Sequence, residues 1–180
     1  FGGLNKISFN AEAYAVNPVI ISIDRKKRLN ENLMLFFTGF SRFSSDIQDA
    51  VKKNLKDKKG QLLEMLQLVD AAEIVLTSKQ DLCEFGRLLD YAWRLKRGIT
   101  SRISTDSIDV LYERAMSAGA VGGKLLGAGG GGFLLFYVES DRQEHVKKAL
   151  DDLLYVPFEF ETAGTRVIHY TPESYRHKEG

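Results

Sequence analysis

Glycine is concentrated in one short run of the sequence, where residues 127 to 132 are all glycine except Ala128. Each glycine loses more backbone entropy on ordering than any other residue, so the run weakens a helix or a strand. Such a run is favoured where backbone N–H groups must approach an anion closely, or where the backbone takes positive φ values. The run is therefore a candidate phosphate-binding loop.

Two common phosphate-binding motifs fit this run poorly. Residues 127–132 match the letters G-x-G-x-x-G, but a dinucleotide-binding loop follows a strand and opens a helix. Here the order is reversed, because residues 105–118 have a helical apolar period and the apolar segment 133–138 comes after the run. A Walker A loop also fails, since Leu125 replaces the Ser or Thr after the lysine and Ala118 occupies the place of the first glycine.

Basic residues in other segments could also bind an anion. Arg42 lies in a hydroxyl-rich stretch between an expected strand and an expected helix, where a helix N-terminus favours anions. Lys96 and Arg97 end another expected helix, before the polar residues 100–104. Cations in a last helical turn also complement the helix dipole, and serines before a helix also cap it. The residues alone therefore leave both interpretations open.

The segment Lys124–Phe133 resembles the C-terminal glycine-rich motif of the GHMP small-molecule kinases. Further segments are similar to the branch of sugar kinases that act on D-glycero-D-manno-heptose 7-phosphate, namely Phe1–Asn5, Thr38–Arg42, Trp93–Arg97 and Gly119–Lys124. The resemblance covers almost the whole chain. It implies transfer of the γ-phosphoryl group of ATP to the anomeric hydroxyl of a heptose 7-phosphate, a reaction that needs positioning and charge neutralisation.

The resemblance also implies roles for particular residues. The loop that would lend backbone N–H groups to the triphosphate, or hold another phosphate loop in place, consists of Gly127, Ala128, Gly129, Gly130 and Gly131. The cations expected to bind the phosphate of the sugar are Arg42, Lys96, Arg97 and Lys124. On this basis a Gly129→Val exchange is expected to impair the use of ATP far more than it disturbs the fold.

The resemblance places the main ATP-binding loop, the catalytic aspartate and the Mg²⁺ ligands in an N-terminal half that would precede Phe1. We therefore expect the chain to be a fragment that contains no catalytic residue and has no kinase activity by itself. Two alternatives remain open: another GHMP substrate, such as fucose, galactose or a mevalonate derivative, or a non-catalytic binding module with the same fold.

The composition argues against several other classes of protein. The formal net charge is +1 with 27% charged residues, so no polybasic nucleic-acid surface is indicated. The lone Cys83 cannot form an internal disulfide and is expected in the core of a soluble, cytoplasmic protein. The three histidines, His145, His169 and His177, are too widely spaced for a zinc site. No apolar run approaches the roughly 18 residues of a membrane span, and homodimer formation is left open.

The apolar pattern predicts the elements that must position these residues. Strands are expected near residues 4–9, 19–23, 33–37, 133–138, 155–160 and 165–170. Helices are expected near residues 46–55, 62–76, 81–97 and 105–118, with another opened by a capping box at Ser140 and Gln143. The basic cluster 25–28 is expected in a loop, and Gly60 is expected to interrupt the chain.

This arrangement of elements indicates an α+β protein. A helix followed by strand, helix, strand and strand suits a ferredoxin-like sandwich with antiparallel strands, here with additional helices. The resemblance implies the same fold, that of the GHMP kinase C-terminal domain. We expect residues 1–40 to be strands that belong with the N-terminal half, and residues 41–180 to be the C-terminal domain.

Overall fold

The computed structural model describes residues 1–40, 49, 51–52, 54, 57–167 and 169. The chain divides into two compact units, of which the larger is Val19–Glu159 and the smaller combines Phe1–Pro18 with the chain from Phe160 onward. The smaller unit contains an antiparallel hairpin of β1 (Asn5–Phe9) and β2 (Tyr14–Pro18). The predicted boundary at residue 40 stays a prediction.

The larger unit is a four-stranded antiparallel sheet with helices. Its elements in chain order are α1 (Ile23–Asn32), β3 (Leu33–Phe37), α2 (Lys59–Thr77), α3 (Cys83–Arg97), α4 (Asp106–Ser117), β4 (Gly122–Leu125), β5 (Phe133–Tyr137), α5 (Gln143–Ala149) and β6 (Leu154–Tyr155). The strands lie side by side in the order β4-β5-β3-β6, and every neighbouring pair is antiparallel. This order, with helices between β3 and β4 and between β5 and β6, is the split βαβ arrangement of a ferredoxin-like fold. The predicted fold class is confirmed.

Apolar periodicity explains why α4 forms and where it packs. Thr105 caps the helix, because its hydroxyl accepts from the backbone N–H of Ile108 at 3.3 Å. The buried side chains Ile108, Leu111, Tyr112 and Ala115 recur at helical spacing and join one core with the apolar residues of β3 and β5. The aromatic rings of Tyr112 and Phe136 lie 5.5 Å apart at their centroids within that core.

Helix α3 approaches β4 so closely that only glycine fits at the contact. A Cβ atom on Gly122 would lie 2.0 Å from the carbonyl oxygen of Gly86. The Tyr112 hydroxyl donates to Asp90 of α3 at 2.7 Å and lies 3.1 Å from the carbonyl oxygen of Gly123. Helix α3 is therefore fixed directly against the strand that carries Lys124. Sequence analysis missed β4, because half of this short strand is glycine, which has low strand propensity.

Several predictions about the first part of the larger unit were wrong. Residues 19–22 form no strand, and residues 25–28 lie in α1 rather than in a loop. The Ser22 hydroxyl caps this helix, and the Arg25 guanidinium donates to carbonyl oxygens of Leu76 and Gln80 near the end of α2. These bonds satisfy carbonyl groups that the end of a helix leaves unpaired. The charge pattern of the sequence does not reveal this role of Arg25. Gly60 lies inside α2 and does not interrupt it.

Two predictions about the last part of the chain were also wrong. Helix α5 has no side-chain cap at its N-terminus, because the Gln143 amide donates to the carbonyl oxygens of Glu31 and Val138 instead of closing a capping box. Strand β6 covers only Leu154–Tyr155, and the described residues from 156 onward contain no strand. Most of the predicted helix near 46–55 lies outside the described residues.

We expect a Gly122→Ala variant to be less stable than wild type by about 1–3 kcal/mol, because the new methyl group meets the backbone of Gly86 rather than a movable side chain. A Gly60→Ala variant is the matched control, since nothing lies within 4 Å of its added Cβ and alanine favours a helix. Denaturant unfolding of the two variants measures the difference. Equal stability of Gly122→Ala and wild type would contradict the close contact.

Candidate functional site

The glycine run forms the connection between β4 and β5. Its residues Gly127, Gly129, Gly130 and Gly132 have φ values of +79°, +126°, +73° and +105°. Side chains strongly disfavour this left-handed region, so the backbone conformation itself requires glycine at these places. At the base of the connection the Leu126 N–H donates to the carbonyl oxygen of Phe133 at 2.8 Å.

One segment that lies against this loop is the turn before α4. The Gly130 N–H donates to the carbonyl oxygen of Ile103 at 2.9 Å. A Cβ atom on Gly129 would lie 2.7 Å from the same oxygen. The glycines thus allow contact with a protein backbone, which the sequence analysis did not anticipate.

The segment after β3 also lies against the loop. The Gly132 N–H donates to the carbonyl oxygen of Phe40 at 3.1 Å, and a Cβ atom on Gly131 would lie 2.4 Å from that oxygen. The buried Thr38 hydroxyl accepts from the N–H of Gly132 at 3.1 Å and lies 2.9 Å from its carbonyl oxygen. Thr38 therefore anchors the end of the loop, a role that its place in a polar sequence stretch did not indicate.

Other amides of the loop remain available to a ligand. Within the described part of the chain, the N–H groups of Gly127, Ala128, Gly129 and Gly131 have no acceptor. Successive amides in turns that contain left-handed residues form concave binding sites for anions. Four of the five residues predicted to bind the nucleotide therefore have an N–H group without an acceptor among the described residues, whereas Gly130 uses its N–H to hold the loop in place.

Two lysine side chains lie beside the start of the loop. Lys96, in the last turn of α3, donates a hydrogen bond to the carbonyl oxygen of Gly127. Lys124, on β4, lies close enough to Lys96 for their charges to repel. Both side chains are half-buried, and neither forms an ion pair with a carboxylate in the described residues. The structure thus brings together two of the predicted cations and the glycine loop.

The pKa values of both lysines reflect this environment. Burial, together with the repulsion by Lys124, lowers the pKa of Lys96 from 10.5 to about 8. Burial also lowers the pKa of Lys124. Two nearby cations without a counter-ion are unfavourable when they are partly removed from water, and a bound anion offsets that cost.

The other predicted cations are placed differently. The Arg97 guanidinium forms an ion pair with Asp109 at 2.7 Å and lies 5.8 Å from the centre of the Trp93 ring. Its charge is therefore paired within the protein. Its predicted role in binding a phosphate is untested, and so is that of Arg42, which lies outside the described residues.

The hydrogen-bonded pair of Asp90 and Tyr112, near β4, was not predicted from the sequence. Asp90 of α3 accepts from the Tyr112 hydroxyl and forms an ion pair with Arg94 at 2.7 Å. Burial, and then the bond to Asp90, raise the pKa of Tyr112, so this hydroxyl stays protonated. The helical period placed Tyr112 on the core face of α4, but no pattern in the sequence indicated a partner for its hydroxyl.

The described residues also bear on membrane insertion, metal binding and the reactivity of the thiol. No helix among the described residues is long and apolar enough to cross a membrane. The described residues also contain no cluster of three or more His, Cys, Asp or Glu side chains that could hold a metal ion, so the location of the Mg²⁺ ligands stays a prediction. Cys83 begins α3 and is half-buried, and burial beside Glu139 raises the pKa of its thiol to about 12.

Comparison with known proteins gives the family. Residues 68–156 match the family model described as GHMP kinases C terminal, and this stretch includes the glycine loop, Lys96 and Lys124. Residues 68–156 form a GHMP kinase C-terminal domain. The family and fold expected from the sequence are confirmed, and the relatives in this family are kinases.

Individual relatives of this GHMP domain include sugar kinases. The chain is 33% identical over 154 residues to D-glycero-alpha-D-manno-heptose 7-phosphate kinase of Campylobacter jejuni, a match that covers 83% of the chain and 45% of the relative. A crystal structure of D-glycero-D-manno-heptose 1-phosphate kinase from Bacteroides thetaiotaomicron is 26% identical, with a TM-score of 0.63 over 91% of this chain and 44% of that one. The chain thus spans less than half the length of these relatives.

A mevalonate kinase has a similar fold. The crystal structure of the L. major enzyme in complex with R-mevalonate has a TM-score of 0.72 and is 22% identical, over 91% of this chain and 51% of that one. At this level of identity the similarity concerns the fold alone.

We expect Gly129→Val to lower the free energy of unfolding by about 2 kcal/mol or more, because the side chain meets the Ile103 backbone and φ is +126°. This revises the expectation from the sequence that the exchange would largely spare the fold. Gly127→Ala is the milder comparison, since only its positive φ opposes a Cβ and nothing lies within 4 Å. Denaturant unfolding of both variants is the measurement, and a Gly129→Val protein as stable as wild type would contradict the observed packing.

The lowered pKa of Lys96 predicts a pH dependence of stability. Between the folded value of about 8 and the usual 10.5, the unfolded state binds more protons than the folded state at this residue. The free energy of unfolding therefore gains a contribution that increases as the pH rises through this window. Wild type should gain stability relative to Lys96→Met between about pH 7 and about pH 10, as measured by denaturant unfolding. Lys148→Met, at an exposed lysine of α5, should show the same pH dependence of the free energy of unfolding as wild type. The same pH dependence in all three proteins would contradict a lowered pKa of Lys96.

Proposed function

We propose that this chain is the C-terminal lobe of an ATP-dependent sugar-phosphate kinase that transfers the γ-phosphoryl group of ATP to the anomeric hydroxyl of a heptose 7-phosphate. The observation that carries the proposal is the half-buried pair of Lys96 and Lys124 beside free loop amides. The names of two relatives, a heptose 7-phosphate kinase and a heptose 1-phosphate kinase, support a phosphorylated heptose as the substrate.

The lysine pair provides the charge that a sugar phosphate needs. Each charge-assisted hydrogen bond contributes about 1.5–3 kcal/mol, and the anion also removes the repulsion between the two ammonium groups. The C-terminus of α3 by itself repels an anion, so these cations must outweigh the helix dipole. One carbonyl of that terminus, at Leu95, is already occupied by the side-chain amide of Gln61 at 2.8 Å, which lessens the repulsion.

The glycine loop is suited to a second group of phosphates. The amides of Gly127, Ala128, Gly129 and Gly131 would hold phosphate oxygens, and Gly130 would keep the loop seated on Ile103. ATP supplies the transferred phosphoryl group, and Mg²⁺ supplies further neutralisation of charge. In this proposal the catalytic base and the metal ligands come from the rest of the enzyme.

Arg97 has a smaller part in this proposal than the sequence suggested. Its charge is already partly balanced by Asp109 at 2.7 Å, so it has less to gain from a phosphate than the two lysines do. Arg42 stays a candidate for the sugar's phosphate. The cytoplasmic location and the inactivity of the isolated chain are likewise proposals, because the chain spans only 45% of the heptose kinase that it matches.

The test uses the enzyme that contains this chain, with ATP and a heptose phosphate. We expect Lys124→Met to raise the KM for the phosphorylated sugar by about 10- to 100-fold, with little change in the KM for ATP, because one charge-assisted contact is lost. The same sugar without its phosphate should show no such difference between variant and wild type.

Lys148→Met is the matched control, because this lysine is exposed on α5, and its kinetics should equal those of wild type. An equal effect of Lys124→Met on the phosphorylated and unphosphorylated sugars would contradict the phosphate site. If the wild-type enzyme phosphorylates fucose, galactose or mevalonate but no heptose phosphate, the proposed substrate is wrong and that compound takes its place.

A further inference from the structure

We propose that Lys96 is a positioning residue that couples the phosphate site to the glycine loop: a phosphate bound between Lys96 and Lys124 fixes the loop, and the fixed loop strengthens phosphate binding. The inference rests on the proposed function, because it takes the anion at the two lysines to be the phosphate of the substrate. It adds that the two binding sites of this lobe are energetically linked through one ammonium group.

The first support is the small number of bonds that hold the first part of the loop. Residues 127–129 lie between the anchors at Leu126 and Gly130, which bond to Phe133 and Ile103. In the described part of the chain, the backbone of residues 127–129 receives a single hydrogen bond from outside the loop, and its donor is Lys96. A Cβ atom on Gly127 would meet nothing within 4 Å, so packing does not confine this residue either. Ala128 packs against the core and Gly129 lies against Ile103, so Lys96 is the contact that holds Gly127, the first of the consecutive free amides.

The second support is the donor capacity of the ammonium group. A lysine ammonium has three N–H donors, and Lys96 uses one of them on the carbonyl oxygen of Gly127. The other two have no acceptor in the residues that the structure describes. One ammonium group can therefore bond to the loop and to an anion at the same time, which makes Lys96 a bridge between them.

The third support is the charge around Lys96. Lys124 on β4 repels it, whereas the nearby Arg94 and Arg97 are already paired with Asp90 and Asp109. An anion bound beside both ammonium groups offsets this repulsion and so favours the position of Lys96 in which it donates to Gly127. Coupling between two sites is reciprocal, so a loop held by a second ligand must raise the affinity for the first to the same extent.

Inorganic phosphate and the 180-residue chain provide a direct test. The backbone amide signals of Lys124, Gly127 and Ala128 are followed by NMR during a phosphate titration near pH 7. For wild type we expect all three signals to shift with one common midpoint. Signals of the buried sheet residues Leu134 and Phe136 report whether each variant keeps its fold.

Variants separate the bridge from simple charge. Lys96→Met should weaken phosphate binding by about 10- to 100-fold and leave the signals of Gly127 and Ala128 unmoved at saturation. Lys124→Met should weaken binding to a similar degree, yet the loop signals should still shift at saturation because the bridge is intact. Lys96→Ala, which has no side-chain donor and adds no bulk, provides a second variant if Lys96→Met does not fold, and its loop signals should not depend on phosphate. Lys148→Met should behave as wild type.

Three outcomes would overturn the inference. The first is loop signals that shift in Lys96→Met or Lys96→Ala as they do in wild type. The second is phosphate binding by wild type that moves the Lys124 signal alone, and the third is no saturable binding by wild type. None of these measurements uses ATP or a sugar, so they leave the proposed kinase reaction to its own test by turnover. Conversely, a failed turnover assay does not alter the phosphate titration.

Discussion

The close approach of backbone to backbone at glycine is the constraint on which the rest of this structure depends. Gly122 lets β4 contact α3 at Gly86, and Gly129 and Gly131 let the loop contact the backbones of Ile103 and Phe40. Each contact leaves no room for a Cβ atom, so no other residue gives the same geometry. These glycines cost entropy on folding. In return they bring the end of α3, strand β4 and the loop together, so that Lys96 and Lys124 both lie beside the loop.

Among the described residues, two cations of the site have no carboxylate partner. Around the loop, Arg94 and Arg97 each have a carboxylate partner, whereas Lys96 and Lys124 have none among the described residues. Under the proposed function, the substrate's phosphate is the anion that offsets the cost of these two cations.

Sequence patterns predicted those parts of the structure that local chemistry decides. Helix α4 could be predicted because Thr105 caps a stripe of apolar residues, and the loop because glycine is so concentrated there. The short strand β4 could not, because Gly122 and Gly123 are required by contacts with α3 and β5 respectively, and the contact with α3 is distant in sequence. The ion pair of Arg97 with Asp109 and the bond from Lys96 to Gly127 could not be predicted either, because both depend on how α3 packs against its neighbours.

Helix α3 contributes both to the stability of the fold and to the geometry of the site. Its first turn contacts β4 through Gly86, its middle bonds to Tyr112 through Asp90, and its last turn carries Lys96 to the loop. A Cβ atom on Gly86 would lie 3.0 Å from the side chain of Tyr137, so even this face of the helix has little freedom. A shift of α3 by a fraction of an ångström would therefore change the core contacts and the bond between Lys96 and Gly127 together. The position of the loop is thus set by the same packing that holds the domain together.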